Sequence, residues 1–149
     1  MIAPMLPNQP AGWLAACAVI GMTVLPSAAL AAPSKMTAVL SGANETAGGD
    51  AKASGGFKVE LDPETNDFCY SLWTDKPIKA TMAHLHSGAA GADGPPVATL
   101  EITGKTSDAC LAIDKDKLTP IVENPGTFYI NVHNAEFPKG AVRGQLVKE

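Results

Sequence analysis

The chain has 149 residues, with 11 basic against 15 acidic side chains and a formal charge of −4 at neutral pH. That length allows one domain once a leader is set aside. A mildly acidic chain without a basic cluster excludes a nucleic-acid footprint.

The first 31 residues carry no Lys, Arg, Asp or Glu. Trp13 to Leu25 is apolar, and Ala29-Leu30-Ala31 has the A-x-A form of a cleavage site. Residues 1–31 therefore read as a secretory signal peptide and residues 32–149 as one mature domain, periplasmic or secreted. The leader lacks the usual Lys or Arg before its apolar run. A retained anchor is the second reading, although the run contains Pro26 and falls short of the roughly 20 residues a span needs. Leu14-Ala15-Ala16-Cys17 resembles a lipobox by chance, since the apolar run follows Cys17 instead of preceding it. No membrane span is expected in the mature chain. Of three cysteines, Cys17 leaves with the leader. Cys69 and Cys110 remain, and in an oxidising compartment such a pair reads as a disulfide, with two buried free thiols as the other reading. Closing that loop of about 40 residues contributes at most roughly 4 kcal/mol through chain entropy.

Lys35 to Leu40 is β-like. Ser41 to Gly56, rich in Gly, Ala, Asn and Ser, reads as a loop or irregular edge. Phe57 to Leu61 alternates and predicts a half-buried strand with Phe57, Val59 and Leu61 inward. A turn over 62–67 leads to a return strand over Phe68 to Trp73, giving a hairpin. Ile78 to His86 is the next strand, followed by the glycine-rich 88–95. Val97 to Thr103 predicts a strand with Ala98, Leu100 and Ile102 on one face. Ala109 to Ile113 is short and apolar. In 114–124, Leu118, Ile121 and Val122 have helical spacing, and Thr119 as N-cap with Pro120 at the first position allows a single turn. Thr127 to His133 and Ala141 to Val147 are the last strands. Many short strands between turn signals predict an all-β fold, a sandwich or small barrel.

The histidines carry the chemistry. There are three, and all fall on two strands. Residues two apart in a strand share a face. Ala83 and Leu85 suit the core, which turns Met82, His84 and His86 outward. Phe128, Ile130 and Val132 suit the core, which turns Tyr129, Asn131 and His133 outward. The three imidazoles are expected to converge outside the core, under the 88–95 loop. Imidazole suits copper or zinc, so His84, His86 and His133 form the candidate metal site, copper first and zinc second. The plainer alternative is that they only hydrogen-bond loop carbonyls. Met82 is a candidate soft ligand, or simply packing. Arg143, the sole arginine, either holds an anion or a carboxylate or forks to backbone carbonyls or Asp93. No Ser-His-Asp or Cys-His signature is present, and the glycine loop lacks the Lys and following helix of a phosphate cradle, so no enzyme is expected.

Three segments in order carry a family resemblance: Ala83-His84-Leu85-His86-Ser87-Gly88 with Gly91-Ala92-Asp93-Gly94-Pro95, then 128–133, then Phe137-Pro138-Lys139-Gly140-Ala141-Val142-Arg143-Gly144-Gln145-Leu146. Together with Leu40-Ser41-Gly42-Ala43-Asn44-Glu45 they resemble the CHRD domain, named after chordin and found also in exported bacterial proteins. The resemblance implies an immunoglobulin-like or Greek-key β-domain. The family usually has an acid two positions before the Arg, where this chain has Ala141, so that acid's ion-pair or ligand role has no residue here. Chordin's antagonism of growth factors does not transfer to a single-domain exported chain. A looser likeness to copper/zinc superoxide dismutase implies no dismutase, because three histidines are too few for its paired sites. The expectation is an exported metal-binding module, used in copper buffering or tolerance. The alternative is a non-enzymatic envelope module whose partner is a protein or glycan.

Overall fold

The structure is a computed structural model describing residues 32–76 and 78–149. The expected signal peptide, with Cys17, lies outside the described residues. Among the described residues no helix is long and apolar enough to cross a membrane.

The elements are β1 (Ser34–Ser41), β2 (Ser54–Asp62), β3 (Asp67–Thr74), β4 (Ala80–Ser87), β5 (Pro96–Leu100), β6 (Ala109–Ala112), α1 (Lys115–Glu123), β7 (Phe128–Asn134), β8 (Val142–Gln145) and β9 (Val147–Lys148). They form one antiparallel sheet in the order β5-β4-β7-β8-β1-β2-β3-β6, with β9 pairing β1. The sheet curls into a half-barrel, the form that the all-β sandwich-or-barrel expectation takes. Alternation decides which way each strand faces. Met36, Ala38 and Leu40, then Phe57, Val59 and Leu61, then Phe68, Tyr70 and Leu72 line the concave side, and Ala83, Leu85, Ile130, Val132 and Val142 complete it. Leu118 and Ile121 of α1 join the same core.

The β2–β3 hairpin turns through Asn66, whose φ of 65° is left-handed, a conformation asparagine tolerates better than most residues. Cys69 and Cys110 stand directly opposite one another on β3 and β6 and form a disulfide. It ties the four-residue edge strand β6 to the sheet.

Local expectations are corrected in three places. Ser54 to Gly56 is not loop: these residues start β2, pairing Ser41, Leu40 and Val39 of β1. The two glycines lack side chains because Trp73 and its backbone occupy that space; an added Cβ on Gly56 would strike the Trp73 ring. The strand expected to run to Thr103 ends at Leu100, and Ile102 is 40% exposed. There the chain leaves β4 and turns to β3. Glu101 N–H donates to the Tyr70 hydroxyl, Leu72 N–H to Thr103 Oγ1, and Thr103 N–H to the Leu72 carbonyl. The helix is not a single turn capped by Thr119. It begins at Lys115 and carries Pro120 inside. Burying both Leu118 and Ile121 needs that earlier start, and it outweighs the hydrogen bond an interior proline removes. Thr119 instead donates its hydroxyl to the Lys115 carbonyl within the helix.

Candidate metal centre

β4 and β7 are neighbours, and their register sets the site. Met82 lies opposite His133, His84 opposite Asn131, and His86 opposite Tyr129. Period-two alternation turns this row to the convex side while Ala83, Leu85, Ile130 and Val132 fill the core. The convex side is not bare here. All seven residues of β7 are buried, because loops cover the face opposite the core.

The three imidazoles converge. One nitrogen from each of His84, His86 and His133 lies within 4.8 Å of the other two. His84 Nδ1 and His133 Nε2 are 3.1 Å apart, with ring centroids 5.1 Å apart. The His84 and His86 centroids are 5.4 Å apart, edge to face. Two nitrogens on one tetrahedral metal at about 2.0–2.1 Å stand about 3.3 Å apart. The His84–His133 pair already has nearly that spacing, and His86 brings a nitrogen within 4.8 Å of both.

The protons on two rings are fixed by carbonyls, which only accept. His86 Nδ1–H donates to the Gly94 carbonyl at 2.8 Å, and His133 Nδ1–H donates to the Pro138 carbonyl at 3.1 Å. Both Nε2 atoms therefore carry a lone pair instead of a proton. That of His86 is buried and has no partner. That of His133 accepts from His84 Nδ1–H. To ligate through Nδ1, His84 would have to carry its proton on Nε2 instead. Such carbonyl partners orient imidazole ligands in metal sites generally. Desolvation is the largest cause lowering the pKa of both His84 and His133. His133 and His86 lower His84 further, while for His133 the Pro138 hydrogen bond partly opposes the shift and His86 adds to it. Neutral imidazole is the form that binds metal.

The 88–95 loop is held from below. Arg143, 2% exposed, donates to the carbonyls of Ala89 (3.0 Å) and Ala92 (2.8 Å) and pairs with Asp93 at 3.3 Å. Its guanidinium lies 3.4 Å over the Tyr129 ring, and Tyr129 stacks on His86 with centroids 4.8 Å apart. Gln145 donates to the Gly88 carbonyl. Gly94 passes so close to the Ser87 carbonyl oxygen that an added Cβ would overlap it. Arg143 is thus the fork to loop carbonyls and Asp93, and Asp93 supplies the counter-charge that Ala141 cannot. Met82 lies on the histidine face but is 52% exposed. Cys69 and Cys110 sit at the other end of the strand order.

Glu45 was not foreseen as part of this region. It follows the 3₁₀ turn Gly42–Asn44, and Asn131 Nδ2 donates to its Oε1 at 3.4 Å. Burial pushes its pKa up to about 7, against the lowering effects of the Asn131 hydrogen bond and the Arg143 charge. Gly140 is required beneath it, because an added Cβ would strike the carboxyl. The sequence signal was Asn44-Glu45 itself, a carboxylate within an otherwise small-residue turn.

Residues 36–146 match the family model of the CHRD domain. No curated protein and no solved structure matches the chain.

Proposed function

The chain belongs to the CHRD domain family, and on that premise we propose that it is an exported, non-enzymatic β-domain that holds copper, or as second choice zinc, on His84, His86 and His133. Its role is metal buffering or tolerance in the periplasm or outside the cell. One observation carries the reading: three imidazoles each bring a nitrogen within 4.8 Å of the other two, and one of these rings, His86, has a buried Nε2 without a partner. A buried acceptor left unpaired is costly unless something else occupies it. Copper is ranked above zinc because nitrogen sites bind Cu(II) more tightly than Zn(II) along the first-row series.

A second reading rests on the bonds from His86 to Gly94 and from His133 to Pro138. These brace two loops, and an envelope module that binds a protein or glycan would need nothing more from its histidines. Metal analysis of tag-free protein, with Cu(II) EPR of wild type and His84→Ala, separates the two. The metal reading expects stoichiometric copper, nitrogen hyperfine structure in wild type and a changed spectrum in the variant. Substoichiometric metal with the same spectrum in both proteins leaves the bracing module.

A further inference from the structure

Resting on the metal reading above, we infer that Met82 supplies a fourth, thioether ligand and that the site's preferred occupant is monovalent copper, Cu(I).

Position is the first argument. Met82 pairs directly with His133, and the pairing is unbroken from Met82 through His84 to His86. The sulfur-bearing side chain therefore leaves the same face of β4 as both histidine ligands of that strand. Side chains directly opposite in an antiparallel pair have Cβ atoms about 4.5–5.5 Å apart. Methionine's three rotatable bonds span such a gap. The register shift between Ala80 and Met82 comes immediately before this pair. Thr81 is thereby left unopposed on β7, and the irregularity ends at the residue that faces His133. Bulges of this kind re-aim side chains beside functional sites.

Exposure is the second argument. Met82 is 52% exposed although its side chain is large and apolar, and the outward neighbours on its own strand are imidazoles. Core packing does not explain a methionine there. A mobile thioether at the open edge of three fixed nitrogens is placed to close over an ion arriving from solvent.

Charge is the third. No Asp or Glu joins the three histidines among the described residues. The nearby carboxyl of Glu45 is instead engaged by Asn131 and sits against Gly140. Three neutral imidazoles and a thioether leave the whole positive charge of the ion uncompensated in a partly buried setting. That penalises a divalent ion more than a monovalent one. Thioether ligands also select Cu(I) among the metals that imidazole accepts. Neutrality and softness point to the same ion.

The test uses the full mature protein without a tag and Cu(I) under anaerobic, reducing conditions, with a Cu(I)-specific chromophoric chelator as competitor. Wild type, Met82→Leu and His84→Ala are compared, with Zn(II) competition run in parallel. Met82→Leu keeps the size and apolar character of an exposed side chain, so folding is not at issue, and a thermal melt checks it. We expect Met82→Leu to weaken Cu(I) binding by about ten-fold or more while leaving Zn(II) affinity unchanged. Copper K-edge absorption should show a sulfur neighbour in wild type that is missing in the variant. Equal Cu(I) affinities with no sulfur signal overturn the Met82 assignment and leave the histidine site standing. Binding of Zn(II) but not Cu(I) overturns the choice of ion. If wild type takes up neither ion, the histidine site itself falls, and this inference with it.

Discussion

Glu45 carries a carboxyl that the fold keeps partly protonated near neutral pH. Its pKa rises from 4.5 to about 7, with desolvation the largest cause and the Asp93 charge adding to it. Between those values the native state binds more protons than the unfolded chain, so stability falls as pH climbs through the window. The full shift corresponds to roughly 3 kcal/mol, and solvent screening of a partly exposed group makes the real figure smaller. Lowered imidazoles work in the opposite direction: His84 and His133 lose stability as pH falls below about 6.5. The informative quantity is therefore a difference between two proteins. Thermal melts from about pH 5 to pH 8 should show wild type losing stability relative to Glu45→Gln, with the variant the more stable at the alkaline end. Parallel curves would mean that this carboxyl does not titrate in the window. At this scale the histidine face was legible, because period two fixes which way His84, His86 and His133 point once Ala83, Leu85 and Ile130 are placed inside. Arg143's fork to the loop was legible too, since a lone arginine near glycine-rich backbone has few other partners. Glu45 was not, because it sits in a turn with no periodicity to orient it. Nor were the Gly94 and Pro138 acceptors, which are backbone carbonyls that any residue supplies.

Strands were easier to place than their ends. β2 and β3 announced themselves through Phe57, Val59 and Leu61 alternating with polar residues, and through a turn of Asp, Pro and Asn. What composition concealed was Gly55 and Gly56, which read as loop in isolation but are strand because Trp73 lies over them. Likewise Pro120 suggested a helix start, whereas the need to bury Leu118 one turn earlier decided the boundary. Both errors come from tertiary contacts that local propensity does not contain. The Cys69–Cys110 bond belongs to this scale, because it holds an element. β6 has four residues and pairs β3 alone, with α1 following directly. Replacing both cysteines by alanine should lower the unfolding free energy by about 2–4 kcal/mol in denaturant titrations. Amide exchange should speed up in β6 and α1 first. Since the cysteines lie on β3 and β6, and β4 and β7 carry the three histidines, metal affinity should not change. Unaltered protection in β6 would show that pairing alone secures the strand.

The whole molecule links the sheet to two loops through the same rings. His86 reaches the 88–95 loop through Gly94, and His133 reaches the 135–140 segment through Pro138, while both strands sit mid-sheet. An ion gripping the three imidazoles would therefore hold β4, β7 and both loops together, and the native state alone assembles those ligands. Ligand linkage then sets the size of the effect: at about a thousand times the dissociation constant, binding adds about 4 kcal/mol. For a domain of this size that corresponds to a rise in Tm of about 10–20 °C. Bracing without metal makes a different prediction, because the loss of a hydrogen bond from His86→Ala lowers Tm by the same amount whether or not metal is added. The discriminating measurement is a two-by-two set of melts, wild type and His86→Ala, each with copper and with chelator. The metal reading requires the copper-induced rise to disappear in the variant and to reverse in wild type when chelator is added. A drop of equal size in both conditions assigns the histidines to the loops alone, since only an ion shared among the three rings can make their contributions depend on one another.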